Sequence, residues 1–208
     1  MKYTDNKFVK EMSQLIKSIL TFCKYKIDLH DGELNIICSP EDVSKVILFF
    51  KDNPSLDMSC LIDIAGVDYP ENDKRFTIVY NLLSITKNLR IRVKTSIGEN
   101  QPMSSITDIF PCADWYEREI WDLFGIRFSG HKDLRRILTD YDFDGFPLRK
   151  DFPLSGFVQF KYDDETSRII SEPVKLEQEY RDFDNLSPWE GMTKNLPGDE
   201  KKNNIKND

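Results

Sequence analysis

The chain has 208 residues, a length that suits one sizeable domain with an appended tail. Hydrophobic residues make up 39% and charged residues 31%, as in soluble globular proteins. The net charge of −7 argues against a nucleic-acid-binding protein, because such proteins concentrate a basic excess on one face.

The first third of the chain predicts a helix, a hairpin and a second helix. Apolar residues recur every three or four positions over residues 8–20, which is typical of an amphipathic helix. Alternating segments at 25–29 and 34–38 flank the turn residues Asp31-Gly32 and predict a hairpin. Ser39, with a proline and two acids behind it, predicts a helix cap, and Asn53-Pro54 predicts the end of that helix.

Three strands follow, and then two helices. Residues 60–67 are largely apolar, which predicts a central strand buried on both faces, and residues 76–83 are similar. Residues 89–95 alternate strictly, so one face of that strand is apolar and the other is basic and solvated. Residues 103–109 predict a short helix, and a longer one runs from a cap at Asp114 to a glycine stop at position 125. The order predicts an α+β domain with helices packed on a mixed or antiparallel sheet.

Beyond residue 126 the periodicity fades, and charged, aromatic, Gly and Pro residues dominate. One short strand is predicted at 157–162, within a largely extended segment. That segment carries apolar residues but no core of its own, which indicates a tail that buries them on a partner. The predicted organisation is an α+β domain at 1–156, an extended docking tail at 157–192 and a disordered C-terminus at 193–208.

Four cysteines are scattered without a close pair, and the chain has two histidines. A structural zinc or iron–sulfur site normally shows Cys-x-x-Cys or a similar cluster, so we expect free thiols, no metal and no cofactor in this chain. No stretch approaches the roughly 20 apolar residues of a membrane helix, and the N-terminus does not resemble a secretory signal.

The densest charged cluster lies in the last predicted helix. Arg118 is four positions from both Asp114 and Asp122, so ion pairs along the helix are expected. The carboxylates Glu117 and Glu119 could also act as acid and base, with His131 nearby, but no companion nucleophile or metal site is evident. We therefore interpret the cluster as an ion-paired helix that locks the domain to its tail or to a partner.

Two further basic groups suit interface contacts. Arg135-Arg136 and Arg149-Lys150-Asp151 could recognise carboxylates, while phosphate binding would need a glycine-rich loop that the sequence lacks. Aromatic residues between positions 115 and 128 have helical spacing and are interpreted as core and interface anchors rather than a flavin or quinone site.

These segments resemble one known family. Residues 115–126 (WYEREIWDLFGI), the following Phe128, Gly130-His131 and 133–138 (DLRRIL), and residues 147–154 (PLRKDFPL) are similar to the C subunit of the proton-pumping NADH:quinone oxidoreductase, respiratory complex I. The tail matches at 172–174 (EPV), 178–179 (QE), 183–184 (FD) and 187–190 (SPWE). Lys132 and Phe146 depart from the proline and histidine that the family pattern carries.

The resemblance implies a non-catalytic subunit of the peripheral arm, in the quinone module. It implies partners in the large D subunit of the quinone site and in the B subunit, FMN and iron–sulfur clusters in partner subunits only, and no nucleic acid. It also implies a place at the cytoplasmic face of the bacterial inner membrane, or at the matrix face of the mitochondrial one. Structural and interface roles fall on Glu117, Arg118, Glu119, Asp122, Arg135, Arg136, Arg149, Lys150, Asp151 and Trp189.

Two alternatives stay open at the level of sequence. The chain could be the equivalent subunit of a related membrane-bound hydrogenase-type complex, although the long tail argues against it. It could also be a free-standing acid–base enzyme, which requires a pocket around Glu117, Glu119 and His131.

Overall fold

The structure, a computed structural model, describes residues 6–30 and 33–175. These residues divide between two compact units, one ending at Leu154 and the other beginning at Ser155. The predicted boundaries after residues 156 and 192 stay predictions, because most of the proposed tail, Trp189 included, and the whole of 193–208 lie outside the described residues.

Apart from the short helix predicted at 103–109, the first unit follows the predicted order of helix, two strands, helix, three strands and helix. The Asp31-Gly32 turn lies outside the described residues. In chain order the elements are α1 (Asn6–Ile19), β1 (Tyr25–His30), β2 (Glu33–Cys38), α2 (Val43–Asp52), β3 (Cys60–Asp68), β4 (Phe76–Ser84), β5 (Leu89–Ile97), β6 (Met103–Ser104), α3 (Ala113–Phe124) and β7 (Phe128–Ser129).

A five-stranded mixed sheet with the order β1-β2-β5-β4-β3 organises this unit. Neighbouring strands are antiparallel except β2 and β5, which pair in parallel. Three helices pack with this sheet, so the α+β class is confirmed. The prediction that β3 is a central strand is wrong: it lies at the edge, and Ile62 and Ala65 are exposed along it.

The core forms where alternate strand residues meet the apolar stripes of the helices. In β5 the residues Leu89, Ile91 and Val93 are buried, as the strict alternation predicted. The four buried residues of α2 join alternate residues of β4 and the apolar faces of α1 and α3 in one cluster. The largest fully buried side chain in it is Tyr80.

Helix beginnings were predicted less well than helix interiors. The second helix begins at Val43, after a turn in which the Ser39 hydroxyl bonds the Asp42 carboxylate at 2.9 Å, so Ser39 does not cap the helix. In α3 the N-cap is Cys112, and Asp114 lies inside the first turn. The predicted helix at 103–109 is wrong as well. Its first residues form β6, which pairs with β7, and only a single turn follows.

Close packing of α3 on the sheet depends on a glycine in β3. A Cβ at Gly66 would lie 2.9 Å from Cδ2 and 3.0 Å from Cε2 of the Phe124 ring. That ring is held edge-on against Phe76, with ring centroids 6.5 Å apart, so it cannot simply turn aside. Gly66 therefore sets how near the helix comes to the sheet.

The second unit contains a hairpin in its described residues. Its strands are β8 (Val158–Asp163) and β9 (Arg168–Pro173), which pair antiparallel. The sequence predicted the first strand but missed the second. No helix in the described part of the chain is long and apolar enough to cross a membrane.

Replacing Gly66 with Ala tests the close contact between α3 and the sheet. We expect a loss of about 1 to 3 kcal/mol in the free energy of unfolding, because the added methyl group overpacks the core. Urea unfolding followed by far-UV circular dichroism measures it. Gly98→Ala is the matched control, since nothing lies within 4 Å of a Cβ there. Equal effects of the two substitutions would contradict this account.

Candidate functional site

The predicted interface residues gather around α3 and a segment that follows it, residues 131–139, called the strap here. The strap runs along α3 and is attached at three successive turns of the helix. His131 contacts Asp114, Arg118 contacts the strap backbone, and Asp122 contacts the far end of the strap. Charged residues spaced four apart therefore hold an otherwise irregular segment against the helix.

Asp122 is the strongest of these attachments. Its carboxylate is fully buried and accepts bonds from the amides of Ile137, Leu138 and Thr139 at 3.2, 2.8 and 2.9 Å. The Thr139 hydroxyl and Arg136 Nη1, the latter at 2.8 Å, complete its coordination. Burial alone would raise the pKa of Asp122, but the hydrogen bonds outweigh it and hold the pKa well below its usual range.

Arg136 carries this attachment into the next loop. Its Nη2 donates to the Phe143 carbonyl at 2.7 Å, and its Nη1 donates to the carbonyls of Asp122 and Gly145 at 3.1 and 3.3 Å. The guanidinium also lies 5.6 Å from the centroid of the Trp121 ring. One arginine thus satisfies several loop carbonyls that would otherwise be unpaired.

Arg118 does not form the helical ion pairs that its spacing predicted. It donates instead to the carbonyls of Arg135 and Arg136, at 3.2 and 3.1 Å, and it is 9% exposed. Within the described residues Asp114 pairs with His131 and Asp122 with Arg136. Spacing indicated which residues share a helix face, but the neighbouring strap determined their partners.

Glu117 faces the interior of the first unit. Its Oε1 accepts the Ile106 amide at 2.7 Å, while Oε2 is buried with no hydrogen-bond partner in the described part of the chain. Burial raises the pKa of this carboxyl, against the opposing effects of the Ile106 amide and the Ser105 hydroxyl. Glu117 thus anchors the turn before α3.

A second ionic network joins β3, β4 and the loop after α3. Arg75 binds both oxygens of Asp68, at 2.7 and 2.9 Å, and also Asp151 at 2.9 Å. Arg149 donates to Glu99 at 2.8 Å and to the Phe124 carbonyl at 2.6 Å. Hydrogen bonds with Arg75, stronger than the effect of burial, lower the pKa of Asp68, and the same arginine lowers the pKa of Asp151.

Three members of this network were missed in the sequence: Asp68, Arg75 and Glu99. Each lies in an ordinary-looking turn or strand end, far along the chain from its partners. The Lys150 amide donates to Asp68 at 2.7 Å, so the lysine takes part through its backbone. No local pattern links positions separated by 82 residues.

Gly125 allows the second network to close over the end of α3. It caps the helix in the left-handed conformation, with φ +77°, as the sequence predicted. A Cβ there would lie 2.6 Å from both Arg149 Nη2 and Phe146 Cε2. Arg149 stacks on Phe146, with the guanidinium 4.6 Å from the ring centroid, so both need the space that glycine leaves.

Three members of the predicted set are oriented differently. Glu119 is half-buried and makes no hydrogen bond or ion pair within the described residues, and the Lys150 side chain is exposed. The one ion pair of Arg135 among the described residues is with the exposed Asp133, at 2.9 Å. Trp189 lies outside the described residues. Trp115, which the sequence placed among core and interface anchors, is 66% exposed and so is not part of the core.

A polar row crosses the sheet face that carries the basic residues of β5. Arg92 donates to Asn81 at 2.9 Å and also pairs with Glu33, and Asn81 in turn bonds Asp63. The charge of Arg92, one of the basic residues that the sequence placed on this face, is therefore paired with a carboxylate. A cavity of about 190 Å³ lies over the row, with Arg92, Asn81 and Asp63 among its walls.

The acid–base alternative finds little support in this geometry. Neither Glu117, Glu119 nor His131 lines that cavity. The His131 side chain is fully covered: its Nδ1 accepts the Asp133 amide at 3.1 Å, and its Nε2 lies 3.1 Å from the Asp114 carbonyl. Among the described residues there is also no cluster of three His, Cys, Asp or Glu side chains that could hold a metal ion.

Comparison with known proteins shows the family. The family model for the 30 kDa subunit of respiratory-chain NADH dehydrogenase matches residues 36–158, which span most of the sheet, α3, the strap and both ionic networks. The chain belongs to this family. The α+β architecture and the charged α3 region are therefore those of a 30 kDa subunit.

Individual relatives agree with that membership. The chain is 55% identical to the C subunit of NADH-quinone oxidoreductase from Azorhizobium caulinodans over 170 residues, 82% of this chain and 81% of the relative. It is 50% identical to the protein of the same name from Chelativorans sp. over 197 residues, 91% of this chain and 98% of the relative.

A solved structure shares the fold at lower identity. It is a chain from the membrane-bound sulfane sulfur reductase, an archaeal respiratory membrane complex, with a TM-score of 0.57 and 24% identity. The match covers 72% of this chain and 87% of that one. The likeness shows that the same fold occurs in another respiratory complex.

Replacing Asp122 with Asn tests whether the buried carboxylate holds the strap. At pH 7 we expect a loss of about 3 to 5 kcal/mol in the free energy of unfolding, because the substitution leaves Arg136 without its counter-charge. Chemical denaturation followed by tryptophan fluorescence measures it.

The pH dependence of that loss has a defined sign. Since folding lowers the pKa of Asp122, its contribution is present above the unfolded value of about 3.9 and disappears as the pH falls through the folded value. The difference between wild type and variant should therefore shrink below about pH 4. Asp133→Asn, which alters an exposed strap carboxylate, should change stability by less than about 0.5 kcal/mol at any pH. Similar losses in both variants would contradict the role of Asp122.

Proposed function

We propose that this chain is a non-catalytic scaffold subunit in the peripheral arm of a proton-translocating NADH:quinone oxidoreductase. In this role it supports the quinone-reducing module, while FMN and iron–sulfur clusters in partner subunits carry electrons from NADH to quinone. It needs no active site or cofactor of its own. The observation that carries the proposal is that the buried charged residues around α3 already serve to fix loops.

The chemistry of those residues supports the scaffold role. Asp122 accepts five hydrogen bonds and Arg118 donates to two carbonyls, so neither is available to a substrate. A carboxylate held well below its usual pKa is a poor proton acceptor near neutral pH. Such groups stabilise a surface rather than perform a reaction.

The partners we propose are the large D subunit of the quinone site and the B subunit. The hairpin of the second unit supports a partner contact, because its register places Val158, Phe160, Tyr162 and Ile169 on one face. Phe160 and Ile169 are 67% and 72% exposed. A two-stranded hairpin is marginally stable in water, so burial of this face on another subunit would stabilise it.

The proposed location follows from those partners. The chain would lie at the cytoplasmic face of a bacterial inner membrane, or at the matrix face of a mitochondrial one, and reach the membrane through the complex alone. An equivalent subunit of a hydrogenase-type complex is the alternative. Relatives that are 50% and 55% identical and are named as C subunits of NADH-quinone oxidoreductase favour the first possibility.

A pull-down of the tagged chain from detergent-solubilised membranes tests the proposal. We expect it to recover NADH:quinone reductase activity together with flavin- and iron–sulfur-containing subunits. Arg118→Ala should lower the amount recovered, because the strap loses one attachment, while turnover per recovered complex stays unchanged. Arg127→Ala, at an exposed arginine beyond α3, is the matched control. Normal recovery with a selective loss of turnover, or recovery of the chain alone, would contradict the scaffold role.

Two substitutions in the hairpin test the partner contact separately. Phe160→Ser with Ile169→Ser removes apolar area from the exposed face, and we expect roughly tenfold less recovered complex. Lys161→Ser lies on the opposite face of the same strand and should leave recovery unchanged. Recovery that is equally high for both proteins would show that the apolar face is not buried in the complex.

A further inference from the structure

Three arginines in the described part of the chain are bound in the same way, by an aromatic ring together with a carboxylate. In each case the guanidinium lies within 6 Å of a ring centroid and within 3 Å of a carboxylate oxygen. Stacking on a ring face and pairing with a carboxylate suit the flat, always charged guanidinium. The three sets are Arg75 with Phe76 and Asp68, Arg136 with Trp121 and Asp122, and Arg149 with Phe146 and Glu99.

Trp115 and Glu119 provide the same two components, an aromatic ring and a carboxylate. Within the described residues, however, they hold no arginine. They are four residues apart on α3, so their side chains lie next to each other on one face of the helix. Trp115 is 66% exposed. Within residues 6–30 and 33–175, no cation lies over the Trp115 ring and Glu119 has no hydrogen-bond or ion-pair partner. A large aromatic ring and a half-buried carboxylate are thus left together without a cation.

We propose that Trp115 and Glu119 bind an arginine side chain of another subunit of the same complex, stacked on the indole and paired with the carboxylate. The inference rests on the proposed function, since it names a contact of that same scaffold. It adds a defined docking point on α3, separate from the exposed face of the hairpin.

The chain itself shows why arginine fits better than lysine. The one lysine stacked on a ring among the described residues is Lys51, which lies 4.9 Å from the Phe110 centroid. Its ammonium donates to the Ile109 carbonyl at 2.6 Å and not to a carboxylate. Within the described residues, each cation that contacts both an aromatic ring and a carboxylate belongs to an arginine.

The position of the pair on α3 also favours a specific contact. Arg118, between the two residues in the sequence, and Asp122 both hold the strap, so the helix presents Trp115 and Glu119 from a fixed frame. Groups that are ordered before binding lose less conformational entropy on association. Hot spots of protein interfaces are enriched in Trp and Arg, the two residue types that this contact would bring together.

Pull-downs from solubilised membranes test the contact in the assembled complex. We expect Trp115→Leu and Glu119→Gln each to lower the recovery of partner subunits roughly tenfold, and Trp115→Phe to lower it less, because a ring remains for stacking. Tyr141→Leu, at an aromatic residue that is 73% exposed, and Glu71→Gln, in the exposed turn after β3, are the matched controls. Since substitutions of Trp115 and Glu119 leave the core intact, the thermal unfolding midpoint of each purified variant should match wild type.

Cross-linking identifies the occupant. A photo-reactive phenylalanine analogue in place of Trp115, activated in the intact complex and followed by mass spectrometry, should join this chain to an arginine-containing peptide of another subunit. A cross-link to this chain's own residues, to a lipid or to nothing would overturn the inference.

The pull-downs distinguish an error in the proposed function from an error in the arginine contact. If the wild-type chain recovers no redox partners, the proposed function itself is wrong. If wild type recovers them and the Trp115 and Glu119 variants recover them equally well, only the arginine contact is wrong.

Discussion

The bond network of the Asp122 carboxylate is the constraint on which the candidate site depends. Its buried charge has a counter-charge in Arg136 and three backbone amide donors, which together offset the cost of removing it from water. All of those donors belong to the strap. Without the carboxylate, a segment with almost no regular secondary structure would lose the contact that orders it against α3.

In the part of the first unit that follows Gly125, ionic networks replace apolar packing. Around the sheet, alternating apolar residues bury a continuous core; beyond Gly125 the chain folds through arginines that gather loop carbonyls. Arginine suits this role because its donors fan out in one plane and its face stacks on aromatic rings. These hydrogen bonds hold the loop backbone in place without a core of apolar side chains.

Sequence patterns predicted the elements but not the partners of their side chains. The alternation of β5 and the glycine at 125 have strong local signals, and both predictions are confirmed. The predicted central position of β3 is wrong. A helix covers one face of this edge strand, so the strand is apolar and resembles a central strand in the sequence. The Arg118 ion pairs failed because spacing along a helix cannot reveal a segment packed beside it. The link between Asp68 and Lys150 had no signal at all, since it is a contact between distant parts of the chain.

The single parallel pairing in the sheet has a consequence for how the chain reaches this fold. Strand β2 has only β1 beside it until β5 arrives, and the partners Leu34 and Ile91 are separated by more than fifty intervening residues. Contacts of such long range close slowly, because the entropy of the intervening loop is lost before the pairing stabilises anything. During synthesis the edge of β2 that later pairs with β5 therefore stays without its partner until β5 has left the ribosome. Over that interval the nascent chain exposes surface that chaperones bind, and a ribosome that stalls between β3 and β5 would release an aggregation-prone fragment.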